Sequence, residues 1–217
     1  MAVRDEKIAH LRSHFVHFDR GLQRAESLLD LYRTISQVPS EDDEVFLTDL
    51  LRAGVVMAHA NFEEYLRSIT LLFCLEAKPD FLNKISLIDA NSKEPKKFQV
   101  HDLIKHKDME VSDLIRSRVE RYLERSNYNN VVEVSALLEQ LGFELEGLRE
   151  HFSPLEEFLS RRHKIVHRGD RVRTALGEPI REEELELKQV EVWLDHLQNL
   201  AGKLIAQSGV KLGLADS

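Results

Sequence analysis

Apolar residues recur at every third or fourth position along most of the chain, which is the spacing of one face of an α-helix. The first such segment covers about residues 5–37 and the second about residues 43–77, with Val38-Pro39-Ser40 between them. Because proline cannot continue a helix, the pattern predicts two long helices joined by a short turn, lying antiparallel with their apolar faces in contact. The second segment is apolar on its flanks as well, so it is predicted to be the central helix.

Shorter segments of the same spacing follow at about residues 111–126, 131–141, 154–168 and 182–206. Residues 78–100 lack the pattern and predict a loop insertion with one short helix near residues 81–87. Residues 170–181 predict an irregular segment or a small hairpin, because Gly177 and Pro179 interrupt them. A flexible tail is expected over residues 207–217. Together these segments predict one all-α domain over residues 1–217, built as an antiparallel helical bundle.

The helix at about residues 154–168 has marked ends. Ser153 is followed by Pro154 and, three positions on, by Glu156, a sequence typical of a helix N-terminus. Gly169 suits the left-handed conformation in which many helices end. Between these ends lies the most informative part of the chain, Arg161-Arg162-His163-Lys164-Ile165-Val166-His167-Arg168. Candidate chemistry is therefore predicted near the C-terminal end of this late helix.

Charge is distributed unevenly along the chain. The formal net charge is −8, which opposes general binding of nucleic acid because phosphate contacts need cations. Residues 161–173 nevertheless contain six arginine or lysine residues against the single acid Asp170. Such a chain is expected to repel polyanions over most of its surface and to bind them at one basic site. The alternative is a solvated basic helix end, which the helix dipole favours in any protein.

The residue types of this basic segment suit phosphate chemistry. The guanidinium of Arg162 is a permanent cation with a forked set of donors, and His167 can exchange protons near neutral pH. His163 and His167 lie four residues apart and share a helix face. Arg162 and His167 differ by five residues, or about 140° of rotation. The arginine is therefore expected to reach around the helix toward the groove that the histidines face.

The string Arg162-His163-Lys164-Ile165-Val166-His167 resembles the signature of the HEPN superfamily of ribonucleases, in which an arginine and a polar residue precede three further residues and a histidine. Residues 55–66, which end in Phe62-Glu63-Glu64-Tyr65-Leu66, are similar to the second helix of stand-alone bacterial members of the RiboL-PSP type. This resemblance implies metal-independent endonucleolytic cleavage of RNA. In that reaction the ribose 2′-OH attacks the adjacent phosphate and leaves a 2′,3′-cyclic phosphate and a 5′-OH end.

The resemblance also implies a role for each residue of the motif. His167 would transfer the proton or position the 2′-OH, Arg162 would neutralise charge on the non-bridging phosphate oxygens, and His163 would orient the phosphate or support His167. The basic neighbours that would bind RNA phosphate are Arg161, Lys164 and Arg168. Glu63 is the implied acidic partner of the basic cluster; the alternative is a half-solvated carboxylate on the flank of its helix.

Family members pair as homodimers, with the motif helices of two chains facing across one composite cleft. The resemblance therefore implies a homodimer, RNA as the substrate and no cofactor. It leaves open an antitoxin or another regulatory protein of unknown type, and a role as a toxin or phage-defence effector. One group of HEPN toxins carries a tyrosine two residues after the histidine, which a partner enzyme modifies. Gly169 occupies that position here, which does not support regulation by that route.

Three other functions are compatible with parts of the sequence. His163 and His167 have the spacing of two metal ligands, with Asp170 as a candidate third, but the surrounding cations oppose a metal ion and none is predicted. Cys74 lies in an apolar helical segment, where a buried thiol is expected and not a nucleophile. The serious alternative is a non-catalytic HEPN-like scaffold that binds RNA or dimerises through the same basic cluster.

Three expectations concern the remainder of the chain. The other histidines, including His59 and His151, are expected on the surface or on helix flanks. No apolar run reaches the length of about 18 residues that a membrane span needs. A single cysteine and an N-terminus that reads as the start of a helix favour a cytoplasmic protein.

Overall fold

The computed structural model describes residues 2–37, 44–86, 100–172 and 181–214. Within these ranges the chain forms seven α-helices: α1 (Ala2–Ile35), α2 (Glu44–Phe73), α3 (Pro79–Leu82), α4 (Val111–Leu123), α5 (Val131–Gln140), α6 (Phe152–Arg168) and α7 (Leu187–Lys211). Turns of 3₁₀ helix lie at Cys74–Glu76, Val100–His106 and Glu146–His151. The only extended pairing in these ranges is a bridge between Arg171 and Glu182. The prediction of an all-α helical bundle is confirmed.

α1 and α2 lie antiparallel, as their apolar spacing predicts. The ring of Phe18 contacts that of Tyr65, with centroids 4.7 Å apart, whereas Leu29, later in α1, lies against Gly54, earlier in α2. Asn61 of α2 donates a hydrogen bond of 2.6 Å to the backbone oxygen of Phe18. The two helices are thus joined along their apolar faces, with a polar contact near the middle.

α2 is the central helix of the bundle and packs against α1, α4, α6 and α7. Its inward residues are fully buried and include Val55, Ala58, Phe62 and Leu66. Tyr65 also reaches α7, where its hydroxyl donates to the backbone oxygen of Ala201 at 3.1 Å. Truncation of a buried phenylalanine costs about 3–5 kcal/mol, so this helix fixes the frame on which α6 is held.

The prediction of a flexible C-terminal tail from residue 207 places the end of the last helix too early. α7 continues to Lys211, Ser208 within it is 0 % exposed, and Leu212 after it is buried. The side chain of Gln207 makes two hydrogen bonds to the backbone of Glu144, at 2.9 and 3.0 Å. These contacts with the loop after α5 order a segment whose composition alone suggests fraying. Residues 215–217 lie outside the described ranges.

The predicted start of the motif helix is also displaced. α6 begins at Phe152, directly after the 3₁₀ turn Glu146–His151, and no side chain caps it. Leu148 and His151 of that turn are buried, and the His151 ring contacts that of His196 in α7. Because this packing holds the preceding residues in a helical path, Ser153 lies inside the helix and is not its cap.

The two segments predicted as irregular are described in part. The loop insertion over residues 78–100 contains α3, which is Pro79–Leu82, and residues 87–99 lie outside the described ranges. The predicted hairpin of residues 170–181 has its two ends paired: the Val172 N–H donates to the Arg181 oxygen at 2.8 Å. Residues 173–180 between these ends are not described. No described helix is long and apolar enough to cross a membrane.

Candidate functional site

The sequence motif lies on the last two turns of α6. The helix ends at Gly169, which has a φ of +56° and caps the helix in the left-handed conformation, as predicted. Asp170 continues this turn with a φ of +57°, which is rare for a residue other than glycine. α6 packs against α2, α5 and α7. The side chains of the motif therefore leave the helix toward three different surroundings.

Arg161 points inward and is 5 % exposed. Its Nη2 donates to Oδ2 of Asp170 and to the backbone oxygen of Glu183, both at 2.7 Å, and its Nη1 donates to the backbone oxygen of Glu184 at 3.0 Å. The same oxygen of Asp170 accepts from Nε of Arg52 in α2 at 2.9 Å. The prediction that Arg161 binds RNA phosphate is wrong, because both of its terminal nitrogens are committed inside the protein.

The other two predicted phosphate-binding residues differ from each other. Nζ of Lys164 contacts both carboxylate oxygens of Glu183, at 2.7 and 3.0 Å, and this hydrogen bond lowers the pKa of Glu183 below its usual value. Arg168 is exposed, and its side chain makes no hydrogen bond or ion pair with a described residue. The local excess of positive charge is therefore smaller than the sequence of α6 suggests, because the carboxylate of Glu183 pairs with both Lys164 and Arg161.

Arg162 leaves α6 on another side and is half-buried. Its Nη1 donates to Oδ1 of Asn129, in the loop before α5, at 3.3 Å. Its Nε is buried and has no hydrogen-bond partner among the described residues. No contact in the described part of the chain joins Arg162 to His167. The sequence predicts that this guanidinium reaches around α6 toward the histidines. The guanidinium instead faces α2 and the loop.

Beside Arg162, α2 contributes a buried histidine and a carboxylate. His59 is 1 % exposed, and its Nδ1 lies 3.8 Å from Oε2 of Glu63, which is too long for a hydrogen bond. Oε1 of Glu63 accepts from the backbone N–H of Tyr128 at 3.2 Å, and Oε2 lies 3.9 Å from Nη2 of Arg67. Glu63 is thus a buried, partnered carboxylate, and the alternative of a half-solvated flank residue is not supported.

The electrostatics of His59 connect this carboxylate to Arg162. Burial lowers the pKa of His59 to about 4, opposed by the carboxylate of Glu63 and assisted by the guanidinium of Arg162. The histidine is therefore neutral at physiological pH, and the cation nearest to Glu63 is Arg67, on the same helix. Burial also raises the pKa of Tyr128 to about 12, which keeps its phenol protonated. The name Arg162 cluster is used below for Arg162, Asn129, His59, Glu63 and Tyr128.

His163 and His167 lie on the outer face of α6, and both are exposed. Their rings are 4.6 Å apart between centroids with an interplanar angle of 44°, as expected for residues four positions apart on a helix. Val166 beside them is 47 % exposed. Neither ring makes a hydrogen bond with a described residue. The two imidazoles are thus accessible to a substrate, and each retains both nitrogens for it.

Two of the histidines that the sequence predicts on the surface or on helix flanks are buried. His59 belongs to the Arg162 cluster, and His151 contacts His196 with 3.0 Å between their Nδ1 atoms. The position of His59 four residues before Glu63 in a helix was a usable signal, because such residues share a face. Asn129 carried no comparable signal, since it meets Arg162 only through the packing of α5 on α6.

The candidate metal site of the sequence is not assembled. Asp170, its candidate third ligand, is buried against two guanidinium groups and lies away from the exposed rings of His163 and His167. Within the described ranges, no group of three or more histidine, cysteine, aspartate or glutamate side chains could hold a metal ion. Cys74 is buried and unpaired with another cysteine.

Comparison with known proteins identifies the class to which this fold and motif belong. A helical bundle with an arginine and a histidine on a late helix is the arrangement of the HEPN superfamily. The model of the RiboL-PSP-HEPN family matches residues 19–207, and the chain belongs to this family. Neither a curated protein nor a solved structure matches the chain.

Proposed function

We propose that the protein is a metal-independent endoribonuclease that cleaves RNA by attack of the 2′-OH on the adjacent phosphate. Membership of the HEPN superfamily supports ribonuclease or nucleotide-binding activity in general. The observation that carries the finer proposal is the side-chain arrangement on α6. A half-buried guanidinium with one neutral partner, Asn129, lies on the same two turns as two exposed imidazoles, His163 and His167.

The roles follow from the surroundings of each group. Arg162 has donor capacity left, since its single described partner is an amide oxygen at 3.3 Å. Such a preorganised cation stabilises negative charge that develops on the phosphate oxygens. His167 takes the proton from the 2′-OH or positions that hydroxyl, and His163, stacked against it, orients the phosphate or supports His167. Arg168 adds an exposed cation at the end of the same helix.

The directions of these groups favour a site that is completed by a second copy of the chain. Arg162 and the two histidines leave α6 in different directions, and general acid–base help contributes only about 10²–10⁴-fold, so one base is not enough. Two motif helices that face each other would place a histidine of each chain and an arginine at one scissile phosphate. The exposed Val166, between the two histidines in sequence, would lie within this contact. We therefore propose a homodimer with a composite cleft.

A second candidate function is a non-catalytic RNA-binding or dimerisation scaffold. It is favoured by one observation: within the described residues, no contact brings Arg162 to His167. In a scaffold, the exposed cations and histidines of α6 would hold RNA without bond cleavage. The two candidates differ in one measurable property, the production of new RNA ends.

The test is cleavage of single-stranded RNA by the full chain in EDTA, with end mapping. We expect 2′,3′-cyclic phosphate and 5′-OH ends from the wild type, and loss of cleavage in His167→Ala. The matched control is His17→Ala, which removes an exposed histidine of α1 far from the motif and keeps wild-type cleavage. Undiminished cleavage by His167→Ala, or 3′-hydroxyl ends, would contradict the proposed mechanism. Binding without cleavage by the wild type would establish the scaffold.

The composite cleft has its own test. Sedimentation at micromolar concentration should show a dimer, and mixing inactive Arg162→Ala with inactive His167→Ala chains should restore part of the activity if both copies contribute to one cleft. A monomer with full activity would contradict the composite cleft and leave a single-chain site.

A further inference from the structure

A cavity of about 670 Å³ lies between α3, α4 and α5, on the other side of the loop that holds Arg162. It is within the size range of about 300–1,000 Å³ that small-ligand sites occupy. The side chains that matter here are Lys84, Arg118, Arg121, Arg125, Tyr122 and Tyr128. None of them belongs to the sequence motif. This cavity is called the α4 cavity below.

The described lining of the α4 cavity carries a strong excess of positive charge. Its charged residues are four cations and one carboxylate, that of Glu133, in a chain whose net charge is −8. Lys84 and Arg125 are exposed and make no ion pair with a described residue, and Arg118 lies 3.1 Å from Nε2 of His106. A cationic recess in an otherwise acidic protein favours a polyanionic ligand.

One exposed tyrosine, Tyr122, gives the α4 cavity a surface on which a base can stack. Tyr122 is 36 % exposed and is braced edge-on by Phe81, with ring centroids 6.1 Å apart. Tyr128 is buried, and its backbone N–H reaches Glu63. Aromatic side chains beside a positively charged groove are the combination by which proteins bind single-stranded nucleic acid. The lining therefore fits nucleotides better than a simple anion.

The α4 cavity and the Arg162 cluster share one loop. Tyr128 lines the cavity, and the next residue, Asn129, accepts the hydrogen bond from Arg162. Consecutive Cα atoms are about 3.8 Å apart, so the wall of the cavity and the arginine's partner are one residue apart. Arg67 fixes this loop on α2 by donating to the backbone oxygens of Leu123 and Ser126, at 3.2 and 3.1 Å.

We infer that the α4 cavity binds the nucleotides of single-stranded RNA that adjoin the phosphate at Arg162. This inference rests on the proposed function, since it takes RNA as the substrate. A base stacks on Tyr122, and the phosphates contact Lys84 and Arg125 at the mouth of the cavity. The cavity would thereby supply binding energy that the partly neutralised α6 segment lacks.

The test measures binding without cleavage. The full chain carrying His167→Ala is titrated into a fluorescent eight-nucleotide single-stranded RNA, and anisotropy is followed at several salt concentrations. Arg125→Gln and Lys84→Gln are each expected to weaken binding several-fold and to lower the slope of log K against log salt by about 0.7, the value for one phosphate contact on a single strand. Tyr122→Ala is expected to weaken binding about tenfold with an unchanged slope.

The matched control is Arg116→Gln, on the same helix α4 but outside the cavity lining. It should bind RNA with the affinity and salt slope of the parent, and circular dichroism should show all variants folded. Wild-type affinity in Arg125→Gln and Tyr122→Ala would overturn the inference. Equal competition by an acidic peptide of the same charge would also overturn it, because the cavity would then be an acidic-protein surface.

Failure of this inference is distinguishable from failure of the proposed function. If the wild type cleaves RNA but the cavity variants bind RNA as tightly as their parent, the RNA-binding role of the α4 cavity is rejected and the ribonuclease proposal stands. If binding depends on Arg125 and Tyr122 but the wild type does not cleave RNA, the binding role of the α4 cavity stands and the ribonuclease proposal is rejected. Absence of any RNA binding would remove both.

Discussion

Arg161 and Arg162 are neighbours in the chain, yet they have opposite surroundings. Arg161 is buried against Asp170 and two backbone oxygens, and Asp170 is held in addition by Arg52. Arg162 is half-buried and has a single described partner, the amide oxygen of Asn129 at 3.3 Å. The first arginine is a structural ion, and the second retains donors for an anion. A run of basic residues is therefore not a uniform phosphate site.

The largest expected effect tests the structural side of this contrast. Asp170→Asn removes the buried carboxylate that Arg161 and Arg52 share and leaves them with more exposed carboxylates, among them Glu183 and Glu182. Loss of one partner of a buried ion pair costs about 3–5 kcal/mol. Asparagine tolerates the left-handed backbone of this position, so the substitution isolates the charge. Urea denaturation measures the free energy of unfolding. Asp108→Asn, at an exposed turn, should stay within about 0.5 kcal/mol of the wild type. A loss below about 1 kcal/mol in Asp170→Asn would show that the network is not structural.

The second test addresses the other arginine. Arg162→Ala should reduce RNA cleavage by about 10²–10³-fold, the usual cost of removing one preorganised donor from developing charge. Its free energy of unfolding should change by about 1 kcal/mol, since only one hydrogen bond to Asn129 is lost. Single-turnover cleavage and urea denaturation measure the two quantities. Equal cleavage by Arg162→Ala and the wild type would erase the distinction between the neighbouring arginines.

The third test uses pH to probe the Arg162 cluster. The folded pKa of His59 is about 4, against an ordinary value of 6.5, so the unfolded chain binds this proton first as the pH falls. Stability from this group is fully present above pH 6.5 and declines toward pH 4, by roughly 3 kcal/mol in all. Urea denaturation at several pH values measures the decline.

The control for this pH dependence is His59→Leu. Burial also lowers the pKa values of His14 and His151, so the wild type carries contributions from all three histidines. Subtracting the free energy of unfolding of His59→Leu from that of the wild type isolates the contribution of His59. This difference should be about constant above pH 6.5. Below pH 6.5 it should fall, because only the wild type loses stability from this group. A pH-independent difference would mean that His59 has the same pKa in the folded and unfolded chains, as a solvated imidazole does. It would contradict the effect of burial.

The smallest expected effect concerns the turn that separates the two surroundings. Gly169→Ala places a Cβ in a left-handed conformation, which costs about 1–2 kcal/mol. The nearest side-chain atom to that Cβ is Nε of Arg171 at 3.9 Å, so no clash adds to the cost. Gly147→Ala, with open space around it, should be neutral or slightly stabilising. Thermal unfolding of both variants compares them, and equal midpoints would mean that the turn relaxes freely.

The sequence predicted the helices well where apolar spacing is long and regular, because burial of an apolar face is the main force that forms them. It also predicted the end of α6, since only glycine enters the left-handed turn without penalty. The predictions that were wrong depend on contacts between distant segments. Gln207 is ordered by Glu144, and the start of α6 is shifted by the packing of His151 on α7.

The candidate site divides in the same way. The sequence by itself supplied the candidates for the proposed chemistry: an arginine, two histidines four positions apart and a carboxylate on the second helix. Only the tertiary structure decided which of the cations remains available. Glu183 and Asn129 reach α6 from other segments, and the turn after Gly169 brings Asp170 back to Arg161. Each lowers the charge or fills the donors of the side chain it meets. Two opposite charges neutralise each other only when they lie within a few ångströms in space. The number of residues between them in the sequence does not give that distance.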